Sequence, residues 1–378
     1  MEVIRTFHPV GQGAFYSERF VKDSKDIGAV VYDCGSGSNK ATLKFKKQIK
    51  GAFPKGAEID ILFVSHFHAD HINGITTLRD NYKIKKVVLP LVHDNDKAVI
   101  KIYNFASKGE QAYQETHQII DNPELFFNSG GNETKIIFVK PVNESQEEFI
   151  SNNTIPIEKL QTESFIDSYQ GIILHDWIYI PFNYKEEDRI KEFKKALSIE
   201  GIEVDDWNDS LFENAEIIKK IKKAYNRLPG DLNGNSLMLY SGILDYNKNS
   251  HSVGCFLEYS NLHPFWIRSY IDNLNGCLYL GDANLNDPDM FKTIAYTLSP
   301  YTPKIGLIQI PHHGSIENFN KEILDINTNN QRYVLSYGVK NAYGHPAHYV
   351  MSSILGVGKY LALVNEDSRS IFVQRNRI

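Results

Sequence analysis

The sequence predicts an α/β protein, because short apolar runs typical of buried strands alternate with polar motifs and with stretches of helical periodicity. The clearest strand-like runs are residues 29–32, 61–64, 276–280 and 305–310. Each run is followed within two residues by an Asp or a His. Apolar side chains recur at helical spacing in residues 186–197 and 211–228. This alternation is consistent with a layered fold whose strands end in chemically active residues.

The composition limits the size, the partners and the compartment. With 378 residues and 42% hydrophobic content, the chain can bury a sizeable core as one large domain or two small ones. Cys34, Cys255 and Cys277 are odd in number and lack the spacing of metal ligands, so a reduced, cytoplasmic setting is the simplest account. We recognise no signal peptide and no run near the roughly 20 apolar residues of a membrane span, so we expect no membrane partner.

Asp33 ends the first strand-like run and precedes a loop, Gly35–Ser36–Gly37, that can turn tightly under a pocket. We expect Asp33 to orient a ligand imidazole rather than to touch metal. The alternative is a simple turn aspartate.

Four potential metal ligands, His66, His68, Asp70 and His71, follow the strand-like run 61–64. Side chains alternate in an extended segment, so His66 and His68 leave on the same side, as two ligands of one ion should. If a helix starts near Asp70, then Asp70 and His71 swing to the other side of the pocket and can hold a second ion. Paired ions commonly sit about 3.5–4 Å apart. The spacing therefore predicts a two-metal hydrolase.

Asp282 follows the strand-like run 276–280, and its two carboxylate oxygens are enough to bridge two ions. The alternative is a helix N-cap, a position that Asp favours. The cluster at 66–71 makes bridging the better interpretation.

His312 and His313 follow the run 305–310, and one of them should ligate the second ion. Neighbours in an extended chain point in opposite directions, so we do not expect both to bind. We favour His312 because it comes directly after the strand and Pro311, with His313 contacting substrate or bracing the loop, although these roles could be exchanged. His345 could protonate a leaving group or bind a phosphate oxygen, with a structural loop role as the alternative.

Seven segments, taken together and in this order, resemble the metallo-β-lactamase superfamily, and in particular the soluble hydrolase domain of the branch typified by the ComEC DNA-uptake proteins. The segments are residues 10–13, 30–35, 66–71, 233–237, 278–282, 311–315 and 343–346. The resemblance implies a four-layer αββα sandwich with two mixed β-sheets and metals at one edge, as one domain over residues 1–378. It also places Asn235, Ser236 and Ser315 behind the ligands or against the substrate.

The metals implied by the resemblance are two divalent ions, zinc or manganese. Many superfamily members supply a third histidine to the first ion where this chain offers Asn235 and Ser236. Water or Asn235 would then complete the shell, and more oxygen moves the preference from Zn toward Mn or Mg. A water bridging two cations becomes hydroxide near neutral pH, and Asp70 could orient it or receive its proton.

The substrate class follows from comparing branches of the superfamily. Oxygen-reducing di-iron members carry Glu where this chain has His68, and the Gly-His-Thr-x-Gly-His segment of lactonases and thioesterases is absent. Residues 235–237 and 312–315 together resemble the ComEC branch, whose soluble domain is linked to DNA degradation. This resemblance implies phosphodiester hydrolysis, most simply of a nucleic acid. A small phosphodiester such as a cyclic nucleotide is the alternative, and a non-catalytic metal-binding scaffold in a partner complex is a third.

The charge argues mildly against a nucleic-acid substrate. With 41 Lys and Arg against 46 Asp and Glu, the formal charge is −5, whereas nucleic-acid binders commonly carry a basic face. A basic run precedes the metal motif, and a solvated helix face is its favoured interpretation. The run consists of Lys40, Lys44, Lys46, Lys47, Lys50 and Lys55.

Residues from about 95 to 230 form a longer connection than a minimal version of this fold needs. Strand-like residues 135–139 and 171–174 can belong to the second half-sheet, and helices are predicted at 186–197 and 211–228. Ordinary helical decoration of the sheet is the favoured interpretation of this enlarged insert. The alternative is a lid or a surface for a protein partner beside the active site.

Overall fold

The fold is built around two large mixed β-sheets, which we describe from a computed structural model. The structure describes residues 1–38, 41–131, 133–145, 153–185, 187–228, 235–245, 247, 251–256, 269–272, 274–326 and 331–378. Among the residues named above, Lys40 lies outside this part of the chain, as do residues 233–234.

The secondary structure alternates between the sheets and the helices that cover them. The strands are β1 (Glu2–Phe7), β2 (Phe15–Lys22), β3 (Lys25–Cys34), β4 (Glu58–Ile59), β5 (Ile61–Phe63), β6 (Lys83–Ile84), β7 (Lys86–Pro90), β8 (Lys135–Val139), β9 (Thr154–Pro156), β10 (Ser164–Ile166), β11 (Gly171–Leu174), β12 (Trp177–Lys185), β13 (Asn235–Ile243), β14 (His251–Phe256), β15 (Ser269–Asp272), β16 (Gly276–Tyr279), β17 (Ile305–Gln309), β18 (Arg332–Ser336), β19 (Tyr360–Val364) and β20 (Phe372–Arg377). The helices are α1 (Leu43–Lys50), α2 (Ala69–Ile72), α3 (Ile75–Asn81), α4 (Asp94–Lys108), α5 (Glu110–Asp121), α6 (Pro123–Asn128), α7 (Glu187–Ile199), α8 (Ala215–Tyr225), α9 (Pro288–Thr297) and α10 (His348–Gly356).

Within the described residues, the first sheet has ten strands in the order β10-β8-β7-β5-β3-β2-β1-β20-β14-β15, and the second has eight in the order β19-β18-β17-β16-β13-β12-β11-β9. The strands β3, β5, β7, β8 and β10 pair in parallel, as do β16 to β19. Parallel neighbours end at the same edge of a sheet, so the polar residues that follow them are brought close together.

Three apolar clusters separate the layers of the molecule. The first lies between the two sheets and includes Val3, Phe63 and Leu237. The second packs α1, α3 and α6 on the outer face of the ten-stranded sheet, and the third packs α9 and α10 on the outer face of the eight-stranded sheet. This α/β arrangement of two mixed sheets and covering helices confirms the predicted fold class.

The strand at 135–139 forms as predicted, but its expected place in the second half-sheet is wrong. This strand, β8, pairs in parallel with β7 in the ten-stranded sheet. The helices α4 to α6 supply the crossover that a parallel pair requires. The strand at 171–174, in contrast, lies in the eight-stranded sheet as expected.

The predicted helix at 186–197 corresponds to α7, whereas only part of 211–228 is α-helical. Residues Asp209–Glu213 form a separate 3₁₀ turn, and α8 begins after Asn214. The Asn214 side chain accepts the backbone N–H groups of Glu216 and Ile217 at 2.9 and 3.2 Å. This N-cap starts a new helix inside the periodic stretch.

Four helices of the enlarged insert, α4, α5, α7 and α8, share an apolar cluster of their own. It contains Tyr103 and Tyr113 from the first pair and Phe193 and Ile221 from the second. The helical part of the insert is therefore a packed unit. Among the described residues, none of the helices has the length and apolar character needed to cross a membrane.

Candidate metal centre

The ends of four strands, two from each large sheet, converge at one edge of the sandwich. Asp33 lies at the end of β3 and His66 follows β5, both in the ten-stranded sheet. Asp282 follows β16 and His312 follows β17, both in the eight-stranded sheet. The packing of the two sheets thus sets the geometry of the site.

The loop after β5 turns into a helix close to the position that the sequence predicts. The short helix α2 begins at Ala69, directly after His68 in an extended conformation. The Ala14 N–H donates to the Asp70 carbonyl at 3.1 Å, and a Cβ added at Gly35 would come within 2.2 Å of that same oxygen. Only glycine permits this approach. The loop that contains Gly35 therefore packs directly on the loop after β5 that carries residues 66–71, which we call the ligand loop.

Two groups of potential ligands result, each with atoms within 4.8 Å of one another. The first group is His66, His68 and Asp282, and the second is Asp70, His71 and His313. The Asp282 carboxylate lies between them, with Oδ2 3.5 Å from His66 Nε2 and Oδ1 3.2 Å from His71 Nε2. The structure therefore places Asp282 where a bridging carboxylate would stand.

In four histidines a hydrogen bond at Nδ1 fixes the ring, and the Nε2 atom of each ring faces the carboxylates of the site. The partners of Nδ1 are Ser65 Oγ for His66 (2.9 Å), Asp33 Oδ2 for His71 (2.8 Å), Asn318 Oδ1 for His312 (2.8 Å) and the Ser336 carbonyl for His313 (3.0 Å). Carboxylate, amide and carbonyl oxygens accept hydrogen bonds, so they place the proton on Nδ1 and leave Nε2 to act as the ligand atom.

The Nε2 atoms of His66, His71 and His313 are buried and have no hydrogen-bond partner among the described residues. A buried polar atom left unpaired costs about 1–3 kcal/mol. Three such atoms that face two carboxylates fit a pair of divalent cations, because imidazole nitrogen and carboxylate oxygen are the usual ligands of Zn²⁺ and its relatives.

The charges of the cluster are strongly coupled. Burial lowers the pKa of His66 well below its usual range, and the neighbouring His71 lowers it further. Burial alone would also lower the pKa of His71, but the carboxylates of Asp282 and Asp33 outweigh this and raise it. Burial would raise the pKa of Asp282, but the three surrounding histidines hold it well below its usual range. The Asp282 carboxylate is therefore held in its ionised form, which is the form that ligates a metal ion.

The expectation that His312 and His313 point in opposite directions is wrong, because its premise of an extended chain does not hold. The two residues have φ angles of 45° and 54° in a short 3₁₀ turn, His312–Gly314. His313 Nε2 lies 3.4 Å from Asp70 Oδ2, and His312 Nε2 lies 3.8 Å from Asp282 Oδ2. Both rings therefore face the carboxylates, with His313 in the second ligand group and His312 beside the bridging position.

The remaining predicted residues surround this centre. The ring of His345 lies 5.4 Å from that of His312, and its backbone N–H donates to Asn341 Oδ1. Ser236 and Ser315 are buried, and the Ser315 N–H donates to the His312 carbonyl at 2.9 Å. Asn235 begins β13 opposite Lys185, but its side chain lies outside the described part of the chain.

Sequence reasoning missed three residues that support the ligands. Ser65 donates its backbone N–H and its hydroxyl to the Asp33 carboxylate at 2.7 and 2.6 Å. Asn318 holds His312 and donates to the Asp282 carbonyl at 2.9 Å. Tyr103 of α4 stacks on His68, with ring centroids 5.3 Å apart. Ser65 could have been found from its position between the strand and His66, whereas no local pattern marks the other two.

The centre opens into a cavity of about 30 Å³, enough for about two water molecules. Its lining combines ligand residues with side chains from the insert and from two loops. Besides the ligands, the lining residues are Gln12, Tyr103, Asn104, Ser107, Tyr225 and Tyr343. The Asn104 amide also donates to the Phe67 carbonyl at 2.9 Å. The insert thus forms one wall of the candidate centre.

Comparison with known proteins supports the superfamily assignment over part of the chain. Residues 24–142 match the family model described as the metallo-beta-lactamase superfamily, and the match includes Asp33 and the whole 66–71 motif. Among solved structures, the chain is similar to a HARLDQ motif mutant of a metallo-beta-lactamase from Cronobacter sakazakii (Enterobacter sakazakii). That similarity has 11% identity, coverage of 92% of this chain and 91% of that chain, and a TM-score of 0.29.

No curated protein matches the chain. Superfamily members are mostly hydrolases that depend on divalent metal ions, often zinc, and the two groups of His and Asp described above are candidate ligands for such ions. Residues 24–142 thus match the metallo-beta-lactamase superfamily, and the α/β fold with its two large mixed sheets is consistent with that superfamily's sandwich.

Proposed function

We propose that this protein is a metal-dependent phosphodiesterase that cleaves nucleic acid. One observation carries the hydrolase part of the proposal: two ligand groups meet at Asp282, and three buried imidazole nitrogens have no hydrogen-bond partner among the described residues. A site built to be complete without ions would have paired these atoms.

His66, His68 and Asp282 would hold one ion, and Asp70, His71 and His313 would hold the other, with Asp282 shared. When bound, such ions supply a water of lowered pKa and an electrophile for the charge that develops on the attacked group. Zinc and manganese both suit this mixture of nitrogen and oxygen ligands.

The protein's own groups position the reactants. The carboxylate of Asp70 faces the cavity and would orient the attacking water or take up its proton. His312 is fixed by Asn318 and lies beside the cavity, so it would contact a substrate oxygen. His345, next to His312, would protonate the leaving oxygen.

The phosphodiester part of the proposal is supported by the sequence segments that resemble the ComEC branch, above all Asn235–Leu237 and Pro311–Ser315. A small phosphodiester such as a cyclic nucleotide is the second candidate. It is favoured by the formal charge of −5, because nucleic-acid binders commonly carry a basic face.

The test is to incubate the purified protein with Mn²⁺ or Zn²⁺ and labelled DNA, RNA and cyclic nucleotides. His66→Ala serves as the inactive control, because it removes one ligand and leaves β5 intact. We expect cleavage of a nucleic acid by the wild type and none by the variant. Cleavage of cyclic nucleotides alone would replace the first candidate by the second, and equal cleavage by both proteins would refute the site.

Metal content gives a second, independent measurement. We expect about two divalent ions per chain in the wild type, measured by elemental analysis after dialysis, and fewer in His66→Ala. A wild type that binds two ions but cleaves none of the substrates would favour the scaffold interpretation instead.

A further inference from the structure

A groove lies beside the metal centre at the start of α1, and its volume is about 440 Å³. It shares Gln12 and Tyr343 with the cavity at the metals, so the two adjoin each other. Its walls are the β1–β2 turn, the loop around Ser36, the first turn of α1 and the loop at 338–343. A volume in this range suits a nucleotide-sized ligand, in contrast to the small cavity above the metals.

The hydroxyl of Ser36 is the first feature that points to a ligand. Ser36 lines the groove and is only 5% exposed, and its Oγ atom has no hydrogen-bond partner among the described residues. Its backbone, in contrast, is fully used: the N–H donates to Asn73 Oδ1 and the carbonyl accepts from Asn73 Nδ2. The backbone of Ser36 is therefore fixed by Asn73, whereas its buried hydroxyl is a polar group that a ligand could pair.

The electrostatics of the groove favour an anion. The N-terminus of α1 faces it, with Thr42 as the N-cap and Lys44 in the first turn. Lys340 lines the opposite wall and is exposed. One acidic side chain, Glu366, also lines the groove, and its carboxylate accepts the Val339 N–H at 3.0 and 3.3 Å. A helix N-terminus and two lysines thus outweigh one carboxylate.

The position of the groove relative to the reacting group follows from the packing of two loops. The Gly35 loop touches the backbone of Asp70, and a Cβ at Gly37 would come within 2.5 Å of the Gln12 carbonyl. Ser36 therefore lies on a loop that packs against the ligand loop. A substrate held at the metals would extend past Gln12 and Tyr343 into the groove.

We infer that this groove is an anion subsite that binds a phosphate group of the substrate next to the one that is cleaved, through Ser36 Oγ, Lys340 and the N-terminus of α1. The inference rests on the proposed phosphodiesterase function. The phosphate belongs either to the backbone of a nucleic-acid strand or to a small ligand with two phosphates.

The test compares substrates that differ in the number of phosphates. Bis(p-nitrophenyl) phosphate carries one phosphate, whereas an oligothymidylate and a cyclic dinucleotide carry a second. The variants are Ser36→Ala and Lys340→Gln, and the matched control is Lys47→Gln, which removes the same charge from the exposed face of α1 outside the groove.

We expect the ratio of kcat/KM for the oligothymidylate to kcat/KM for bis(p-nitrophenyl) phosphate to fall about tenfold in both variants and to stay unchanged in the control. A fall for the cyclic dinucleotide alone would assign the phosphate to a small ligand, a fall for the oligothymidylate alone would assign it to a strand, and a fall for both would show that the groove binds either source. Equal ratios in the wild type and both variants would overturn the inference.

A defect in folding is distinguished by thermal denaturation. The hydroxyl of Ser36 has no hydrogen-bond partner in the described ranges of the chain, so Ser36→Ala should melt at or above the wild-type Tm while the ratio falls. If the wild type hydrolyses none of the three substrates, the proposed function fails. The anion subsite is then tested by the binding of labelled oligothymidylate, measured by fluorescence anisotropy. Weaker binding in both variants than in Lys47→Gln would support the groove, and equal or absent binding would overturn it.

Discussion

Two buried clusters of charged side chains differ in how their hydrogen bonds are completed. Between the sheets, Arg5 and Glu18 form an ion pair at 2.6 Å, with both side chains almost fully buried. Glu18 also accepts hydrogen bonds from the hydroxyls of Tyr179, Tyr279 and Ser241, at 2.7 to 2.9 Å. The guanidinium of Arg5 has further acceptors, which are the Asn275 carbonyl, Gln374 Oε1 and the Ser241 carbonyl and hydroxyl.

The metal-centre cluster is buried to a similar degree, but the hydrogen bonds of its buried polar atoms are not all completed within the described residues. Its Nδ1 atoms have partners, whereas the Nε2 atoms of His66, His71 and His313 lack a hydrogen bond among the described residues. The comparison teaches that burial and charge alone do not identify a functional site. The hydrogen bonds of the Arg5 cluster are completed within the protein, whereas the histidine cluster is one that a ligand would complete.

The largest expected effect is on activity and comes from Asp282→Asn, which removes the charge shared by the two ligand groups. We expect kcat/KM for the substrate found in the panel to fall at least about a thousandfold, because several kcal/mol of transition-state stabilisation depend on the ions. Metal content should fall with it. Activity within tenfold of the wild type would show that Asp282 does not bridge.

The next effect is on stability and comes from Glu18→Gln, which leaves the Arg5 charge buried without a counterion. We expect the free energy of unfolding to fall by about 3–5 kcal/mol in urea titrations. The matched control is Asp26→Asn on the neighbouring strand, where the partly exposed pair Arg19–Asp26 should contribute about 1 kcal/mol or less. Comparable losses of unfolding free energy in the two variants would contradict the expected difference between the buried pair Arg5–Glu18 and the surface pair Arg19–Asp26.

Features of the site that are local in the chain can be predicted from the sequence, whereas those that depend on distant partners cannot. The strand at 61–64 and the motif at 66–71 are local in the chain, and the observed strand ends within one residue of the predicted one. The partners that orient the rings are mostly distant: Asp33 meets His71 across 38 residues, and Ser336 meets His313 across 23. Asp33 was expected to orient an imidazole because it ends a strand, whereas no pattern indicates a backbone carbonyl such as that of Ser336.

Two further differences from the prediction depend on tertiary structure, which the periodicity of the sequence does not reveal. The assignment of residues 135–139 to the second sheet failed because strand sequences do not specify which sheet they join. The directions of His312 and His313 differ from the prediction because the positive φ angles of this turn are unusual for residues other than glycine. The basic run was interpreted correctly in its described part, since the lysines of α1 are exposed, although Lys44 also donates to the Glu366 carbonyl at 2.6 Å.

A smaller effect on activity should follow from Asn318→Ala, which leaves all proposed ligands in place. The Asn318 side chain fixes the Nδ1 atom of His312 and donates to the Asp282 carbonyl. We expect kcat/KM to fall about 10- to 100-fold, as is usual for partners that orient a metal site. Asn320→Ala is the matched control, because its side chain caps a 3₁₀ turn nearby at Glu322 without touching the ligands. It should lower stability and leave kcat/KM close to that of the wild type.

The smallest expected effect concerns a buried histidine that belongs to the fold. His8 stacks on Phe15 and shares a hydrogen bond with Ser17 Oγ at 2.8 Å, and burial lowers its pKa to about 3. The unfolded chain binds a proton at this residue below about pH 6.5, whereas the folded protein does not. The contribution of neutral His8 to stability is therefore present above pH 6.5 and is lost as the pH falls toward 3.

The glutamine in His8→Gln does not titrate, so this variant should lack that pH dependence. We expect the difference in the free energy of unfolding between the wild type and the variant to shift by about 1.4 kcal/mol in favour of the variant between pH 7.5 and 5.5. Urea titrations at the two pH values measure it, and taking the difference removes the contributions of the other titrating groups. A difference that stays constant with pH would mean that His8 takes up a proton in the folded state. His8 would then not be an example of a buried neutral histidine that serves only the fold.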